Sequence, residues 1–309
     1  MNWRLKIGLL LLYCLLVLIT CQSQTQTQTQ TQSATPVFDK QIAFSYLEKQ
    51  CSFGPRIPGT EGHINTRDFL VEEMKKYTNK VRIQSFPSVN YLTNKRTQAY
   101  NIIASFGDGN AQVLLCAHWD SRPKADQDKE PGNQEKPILG ANDGASGVAV
   151  LLEIARIFSS NPPPFPVDIV FFDAEDMGRS SHGEEFLQGS RFFAKNKAFN
   201  YKPRAAILLD MVGDADLGIY IEGNSQNYAS DLVDQVWTIA EELNLPEFIR
   251  EVRHTITDDH LPLLQAGIPA IDLIDYDYPY WHTTEDTPDK CSPESLEKVG
   301  RVLLAFIYQ

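Results

Sequence analysis

Five short turns in this sequence carry side chains that could meet at one metal ion: His118-Trp119-Asp120, Asn142-Asp143-Gly144-Ala145-Ser146-Gly147, Asp173-Ala174-Glu175-Asp176, Leu209-Asp210-Met211 and Trp281-His282-Thr283. Together they offer carboxylate oxygens and imidazole nitrogens, the donor set that a borderline cation such as zinc takes. Four of the five follow an apolar run that reads as a strand, and the Asp143 turn opens a helix. In open α/β sheets, ligands bind in the crevice beyond the carboxyl ends of the strands. His118, Asp120, Glu175, Asp176 and Asp210 fall just past such ends, so one cleft could collect them with Asp143. Plainer readings compete at each position. Asp143 suits a helix N-cap, Asp176 a solvated turn acid and His282 a hydrogen-bonded histidine near the surface. Their joint occurrence in this order favours the metal.

The elements that must position these turns are legible from periodicity. Helices are expected over Asp39–Gln50 and Glu61–Tyr77, with the Gly/Pro-rich loop Phe53–Thr60 between them. Val81–Phe86 and Ala99–Phe106 read as early strands. The apolar runs Val113–Ala117, Val167–Phe172, Ala205–Leu209 and Pro269–Ile274 read as buried strands, and Ile219–Glu222 as a further one. Helical spacing marks Ser146–Phe158, Asp231–Leu243, His260–Ala266 and Pro293–Ile307. The polar, Pro-containing stretch Arg122–Gly140 reads as a long surface loop. This alternation predicts an α/β fold: a mainly parallel, mixed central sheet flanked by helices on both faces. No internal repeat and no second domain boundary is apparent.

The chain has 309 residues, 42% hydrophobic and 22% charged, enough for one large domain with a buried core. A formal net charge of -12 argues against nucleic acid or an anionic membrane surface as a partner. Arg4 and Lys6 precede the apolar run Ile7–Ile19, which is short for a membrane span and fits an export signal. Leu18-Ile19-Thr20-Cys21 resembles a bacterial lipoprotein box with Cys21 as the lipidated residue, although a residue smaller than Thr20 is usual there. Ordinary signal cleavage and an uncleaved anchor are the alternatives. Residues 22–36, rich in Gln and Thr, have no apolar face to bury and are expected to form a disordered tether. The expected organisation is a signal segment over 1–21, the tether over 22–36 and a single α/β domain over 37–309. Such a protein is exported, periplasmic or membrane-anchored as a lipoprotein, and touches the membrane only through that segment. Of the five cysteines, Cys14 and Cys21 belong to it. Cys51, Cys116 and Cys291 read as buried thiols, with a Cys51–Cys291 disulfide left open.

Taken together, the spaced motifs resemble those of the zinc aminopeptidase and glutaminyl cyclase superfamily. The resemblance runs from Phe53-Gly54-Pro55-Arg56 to the C-terminal helix. Asp258-Asp259-His260-Leu261-Pro262-Leu263-Leu264 and Trp281-His282-Thr283 resemble the glutaminyl cyclase (glutaminyl-peptide cyclotransferase) branch; aminopeptidases usually lack the Trp-His pair. The resemblance implies a zinc-aminopeptidase-like fold and one Zn2+ per chain, held by Asp143, Asp176 and His282 with a coordination position left open. The family more often has Glu where Asp176 stands. Asp is one methylene shorter, so its loop must approach the ion more closely. Glu175 then matches the general acid/base, Asp210 and Asp258 the acids of its proton network, and Trp281 a wall of the substrate pocket. Without the resemblance, Asp210 reads as a strand-end acid, Asp258 as an N-cap and Trp281 as a core aromatic. His118 and Asp120 match a pair that helps hold a second zinc in the aminopeptidases; here they read as standing behind the ligands, with Asp120 orienting another group. The cyclases carry a tryptophan in the loop after the Glu pair, whereas Met177–His182 has none. Trp119 is expected to pack beneath the site, Trp237 in the core, and Glu184 and Glu185 in solvent.

The activity implied is zinc-dependent cyclisation of the N-terminal glutamine of peptides or proteins to pyroglutamate, with release of ammonia, by a monomer. A one- or two-zinc aminopeptidase removing N-terminal residues is the alternative, because both reactions need the α-amine near the metal. An inactive, peptidase-like binding module is a remote third, against which every expected position holds a competent group. A Glu beside a cation is ordinarily too acidic to take a proton from an amine. Neighbouring acids must therefore raise the pKa of Glu175.

Overall fold

The computed structural model describes residues 35–309; the export segment, Cys21 and nearly all of the tether lie outside them. Helices α1 (Lys40–Cys51) and α2 (Glu61–Tyr77) lead into strands β1 (Val81–Asn90), β2 (Lys95–Phe106) and β3 (Val113–His118). Then follow α3 (Ala145–Ser160), β4 (Val167–Phe172), α4 (Gln188–Asn196), β5 (Ala205–Asp210) and β6 (Ile219–Ile221). The chain closes through α5 (Gly223–Tyr228), α6 (Ser230–Glu242), β7 (Phe248–Val252), α7 (His260–Gln265), β8 (Ala270–Ile274) and α8 (Pro293–Tyr308).

Strands β3, β4 and β8 are buried at every position, as parallel strands covered on both faces require, even where Asp168 and Asp272 interrupt the apolar run. They sit inside a mixed sheet of order β1-β2-β4-β3-β5-β8. Its β4, β3, β5 and β8 run parallel, while β1 and β2 are antiparallel at one edge. Strands β6 and β7 form a separate parallel pair. Helix α3 is buried almost all round because it packs against β3, α1 and α8 at once. Strand β3 pairs with β4 on one side and β5 on the other. Connections that diverge from such a strand open a crevice beyond its carboxyl end. His118 ends β3, Asp210 ends β5 and Asp173 follows β4, so the sheet brings three of the five turns to that crevice.

Several elements differ from the sequence-based reading. The hairpin of β1 and β2 is longer than expected, pairing out to Asn90 and Lys95. Pro87 lies within it, which is tolerated because β1 is an edge strand. Helices α4 and α5 and strand β7 are additional to the expected elements: the two helices are short, 9 and 6 residues, and β7 is mostly exposed. The stretch Arg122–Gly140 is not simply a surface loop: Arg122, Ala125 and Ile138 are fully buried. Cys51, Cys116 and Cys291 are all buried free thiols, so no Cys51–Cys291 disulfide is present. No described helix is long and apolar enough to cross a membrane.

One buried acid outside the crevice ties the fold to pH. Asp275 accepts a hydrogen bond from Gly218 N at 2.8 Å, and burial pushes its pKa up to about 7. Between the ordinary Asp range and that value, the folded chain holds a proton that the unfolded chain has released. Its contribution to stability is therefore full below pH ~4 and lost as pH rises through ~7. Asp275→Asn is expected to flatten the fall in melting temperature between pH 5 and 8; an unchanged slope would contradict this assignment.

Candidate active site

At the floor of the crevice, Asp143, Asp176 and His282 present ligand atoms that all lie within 4.8 Å of one another. His282 Nε2 stands 3.5 Å from Asp143 Oδ2 and 3.3 Å from Asp176 Oδ2. Those two carboxylate oxygens are buried and have no hydrogen-bond partner. A buried acceptor left in that state costs about 1–3 kcal/mol, more when charged. Two orphaned carboxylates facing an imidazole nitrogen are what a divalent cation resolves, and the set suits catalytic zinc with an open position.

Each candidate ligand is held by its surroundings. Both oxygens of Asp286 accept backbone bonds from the first turn, from Asn142 N at 2.8 Å and Asp143 N at 3.2 Å. Tyr278 Oη in turn donates to Asp286 at 2.8 Å. Gly144 follows at a φ of 100°, where a Cβ would lie 2.5 Å from Asp120 O. It is Gly144, not Asp143, that caps α3, which leaves the Asp143 side chain free. The Glu175-Asp176 turn is fastened by Asp120, which accepts from Glu175 N at 3.0 Å and from Asp176 N at 3.1 Å. Asp120 thus orients a turn instead of pointing at the ligand group. Ala174, Met211 and His282 have φ of 56°, 47° and 53°. Left-handed backbone at non-glycine residues is unfavourable and persists only where the surroundings over-determine it.

His118 stands between two acids, its Nε2 3.1 Å from Asp210 Oδ1 and 3.2 Å from Asp143 Oδ1. His118, Asp143 and Asp210 form a second potential ligand group that shares Asp143 with the first. Within it, however, His118 and Asp210 satisfy each other through a hydrogen bond.

Glu175, Asp210 and Asp258 line one cavity of about 310 Å³ together with the Asp143, Asp176 and His282 group. Burial, followed by the charge of Asp176 and those of Asp258 and Asp259, pushes the Glu175 pKa well above the ordinary range. Burial also holds Asp210 up at about 7, with Asp258 and Asp143 adding to it against the opposing pull of His118. Asp258 accepts from Asp259 N at 2.5 Å and does not cap α7; that place belongs to Asp259. Its Oδ2 is buried without a partner. Behind it, His260 and Asp272 come within 4.8 Å of Asp258, and Glu222 lies 3.2 Å from His260. Burial and the charges of Asp258 and Asp210 raise Asp272 well above the usual range too. Burial and the acids around it therefore make Glu175 a stronger base than an ordinary carboxylate.

The cavity's wall is aromatic. Trp281 stacks on the His282 ring at 4.0 Å and meets Tyr276 at 5.5 Å. On the side where the loop lacks a tryptophan, Phe186 lines the cavity instead. It lies so close to Gly178 that a Cβ there would come within 2.3 Å of its ring. A larger cavity of about 750 Å³, lined by Asp214, Asp275 and Asp277 among others, holds none of the candidate residues. It offers carboxylates without imidazole, and the smaller cavity is the one with chemistry.

Phe186, Asp286, Arg122 and Arg56 carry parts of this site that the sequence did not reveal. Arg56 is fully buried and donates to Trp119 O, Leu139 O and Gly140 O, each at 2.7 Å, which pins the loops around Asp120 and Asp143. Its place in the Phe53-Gly54-Pro55-Arg56 motif was the available signal. Trp119 is fully buried and stacks on His63 at 4.5 Å, and Trp237 is a core residue. Glu184 is exposed, but Glu185 is buried and paired with Arg179 instead of standing in solvent.

Fold and site together define an α/β metalloenzyme of the zinc-exopeptidase type. Residues 101–307 match the model of peptidase family M28. The chain is 41% identical to the glutaminyl cyclase of Tannerella forsythia, with a TM-score of 0.85 over 89% of this chain and 99% of that one. It is 38% identical to a Zn-dependent exopeptidase from Parabacteroides distasonis, with a TM-score of 0.86 over 89% and 100% of the two chains. The glutaminyl-peptide cyclotransferase of Drosophila melanogaster is 25% identical over 281 residues, 82% of this chain and 76% of its own. The chain belongs to peptidase family M28.

Proposed function

We propose that this enzyme cyclises the N-terminal glutamine of peptides or proteins to pyroglutamate and releases ammonia, with one zinc ion held by Asp143, Asp176 and His282. The observation that carries the reading is the meeting of two unpartnered carboxylate oxygens with His282 Nε2, in the cavity where Glu175 stands with a raised pKa. Similarity to proteins named glutaminyl cyclase supports cyclisation over other chemistry on this scaffold.

Both reacting groups belong to one substrate residue, so the enzyme's task is to orient them and move a proton. Zinc at this position supplies a Lewis acid for the side-chain amide carbonyl and for the negative charge that develops on its oxygen. Trp281, Tyr276 and Phe186 enclose the glutamine head and exclude water. Glu175 accepts a proton from the α-amine as the amine bonds to the side-chain carbonyl carbon. The carbon–nitrogen bond of the side-chain amide breaks, and Glu175 returns the proton to the departing nitrogen, which leaves as ammonia. Asp258, whose charge helps raise Glu175, and Asp210, which lines the same cavity, form the acid network that keeps Glu175 protonatable.

The alternative, an aminopeptidase, draws support from the second ligand group of His118, Asp143 and Asp210. Against it, His118 and Asp210 are already hydrogen-bonded to each other. Purified protein incubated with a Gln-Ala peptide separates the two by mass. Loss of ammonia without peptide cleavage supports cyclisation, whereas release of free glutamine overturns it. The N-terminal sequence further suggests export, with a lipid on Cys21 as the membrane anchor of an otherwise monomeric protein.

A further inference from the structure

The stretch Arg122–Gly140 returns to the site at a place the proposed chemistry does not use. Arg122 is fully buried beneath it. Its Nη1 donates to Asp176 Oδ1 at 2.7 Å and also to the carbonyls of Asp176 and Gly178, at 3.3 and 3.2 Å. The other side of the fork grips Asp126, with Nε to Oδ1 at 2.8 Å and Nη2 to Oδ2 at 2.6 Å. Ser180 Oγ closes the ring by donating to Asp126 Oδ2 at 2.9 Å. Asp126 Oδ1 lies 3.2 Å from His282 Nδ1, the ring nitrogen that faces away from Asp143 and Asp176. The contact lies off the N–H axis and falls short of an aligned hydrogen bond. The neighbouring residues fasten the same turn: Gln127 N donates to His282 O at 3.2 Å, and Asp128 accepts from Thr284 N at 3.0 Å and Thr284 Oγ1 at 2.6 Å.

One guanidinium thus spans from one candidate zinc ligand to the carboxylate that backs another. We infer that Arg122 and Asp126 are positioning residues that tie Asp176 and His282 into a single metal-binding unit, a role that rests on the zinc reading above. A carboxylate behind a histidine fixes its tautomer and ring orientation, placing the proton on the near nitrogen and the lone pair on the far one. Here that leaves the lone pair of His282 Nε2 facing the gap between Asp143 and Asp176, where a cation would sit. Arg122 occupies Asp176 Oδ1 and so reserves Oδ2, the unpartnered oxygen, for the metal. The planar fork matches two carboxylates at once and holds the Asp176 turn in place.

The test compares zinc affinity, by chelator competition, in the full-length wild type, Asp126→Asn and Asp128→Ala, with the melting temperature of each metal-free protein. Asp126→Asn is expected to weaken zinc binding by ~10–100-fold, as loss of such an outer partner typically does. Asp128→Ala, which loosens the same turn without touching the His282 ring, is expected to change it by less than about threefold. Ring-nitrogen NMR of the zinc-loaded wild type is expected to place the His282 proton on Nδ1. Unchanged affinity in Asp126→Asn, equal losses in both variants, or zinc bound through Nδ1 would each overturn the inference while leaving the zinc site standing. Failure of the wild type to take up zinc would remove the zinc reading and this inference together.

Discussion

Glu175→Gln is expected to retain zinc, fold and substrate binding while losing turnover by a factor on the order of 10²–10⁴, the usual range for a positioned acid/base. Gln fills the same volume and can keep neutral contacts, but it cannot carry a proton from one nitrogen to another. The position lines the cavity beside Asp176, and its backbone N is already fixed by Asp120, so the turn survives the change. Burial and the neighbouring acids raise the Glu175 pKa, a strain that the neutral amide relieves. The variant should therefore melt no lower than the wild type. Steady-state kinetics with metal content and melting measured on the same preparation checks this. Turnover within about threefold of wild type would remove Glu175 from its role.

The second large effect is expected for His282→Ala, which takes the only imidazole from the Asp143, Asp176 and His282 group. Two carboxylates then face each other with no neutral donor between them. The loss in zinc affinity should exceed the ~10–100-fold expected for an outer partner. A ligand that binds only the folded state raises its stability by mass action. Added zinc should therefore raise the melting temperature of the wild type and leave that of His282→Ala unmoved, with activity lost in parallel. The ring also stacks with Trp281, so a Trp281→Ala control separates lost packing from lost metal. A variant that still binds and responds to zinc like the wild type would show that His282 is no ligand.

Much of this site was readable because its residues sit where apolar strands stop. Val167–Phe172 has the bounds expected of it, and the turn Asp173-Ala174-Glu175-Asp176 follows directly. The Asp143 turn was visible through the helix it opens. Short or mostly exposed elements were not visible. Four of the five residues of β7 are at least partly exposed, and α4 begins after left-handed Leu187 with no side-chain cap. The stretch Arg122–Gly140 looked solvated because its residues are polar. Arg122 and Asp128 are instead buried, paired with Asp126 and Thr284, and a sequence does not display that pairing. The same reason hides Arg122, Asp126 and Asp286. Each acts on a turn distant in the chain, and only the fold brings Asp126 to His282 or Asp286 to Asp143. Phe186 lies just beyond the loop Met177–His182, in which the resemblance implies a tryptophan, so its part in the cavity wall shows only in the fold.

The most direct test of the account is the anomalous scattering map of the zinc-loaded protein, collected at the zinc edge. One peak is predicted, at ~2.0–2.2 Å from an oxygen of Asp143, an oxygen of Asp176 and Nε2 of His282. A map with no peak there, or with zinc lodged instead between His118 and Asp210, would contradict it.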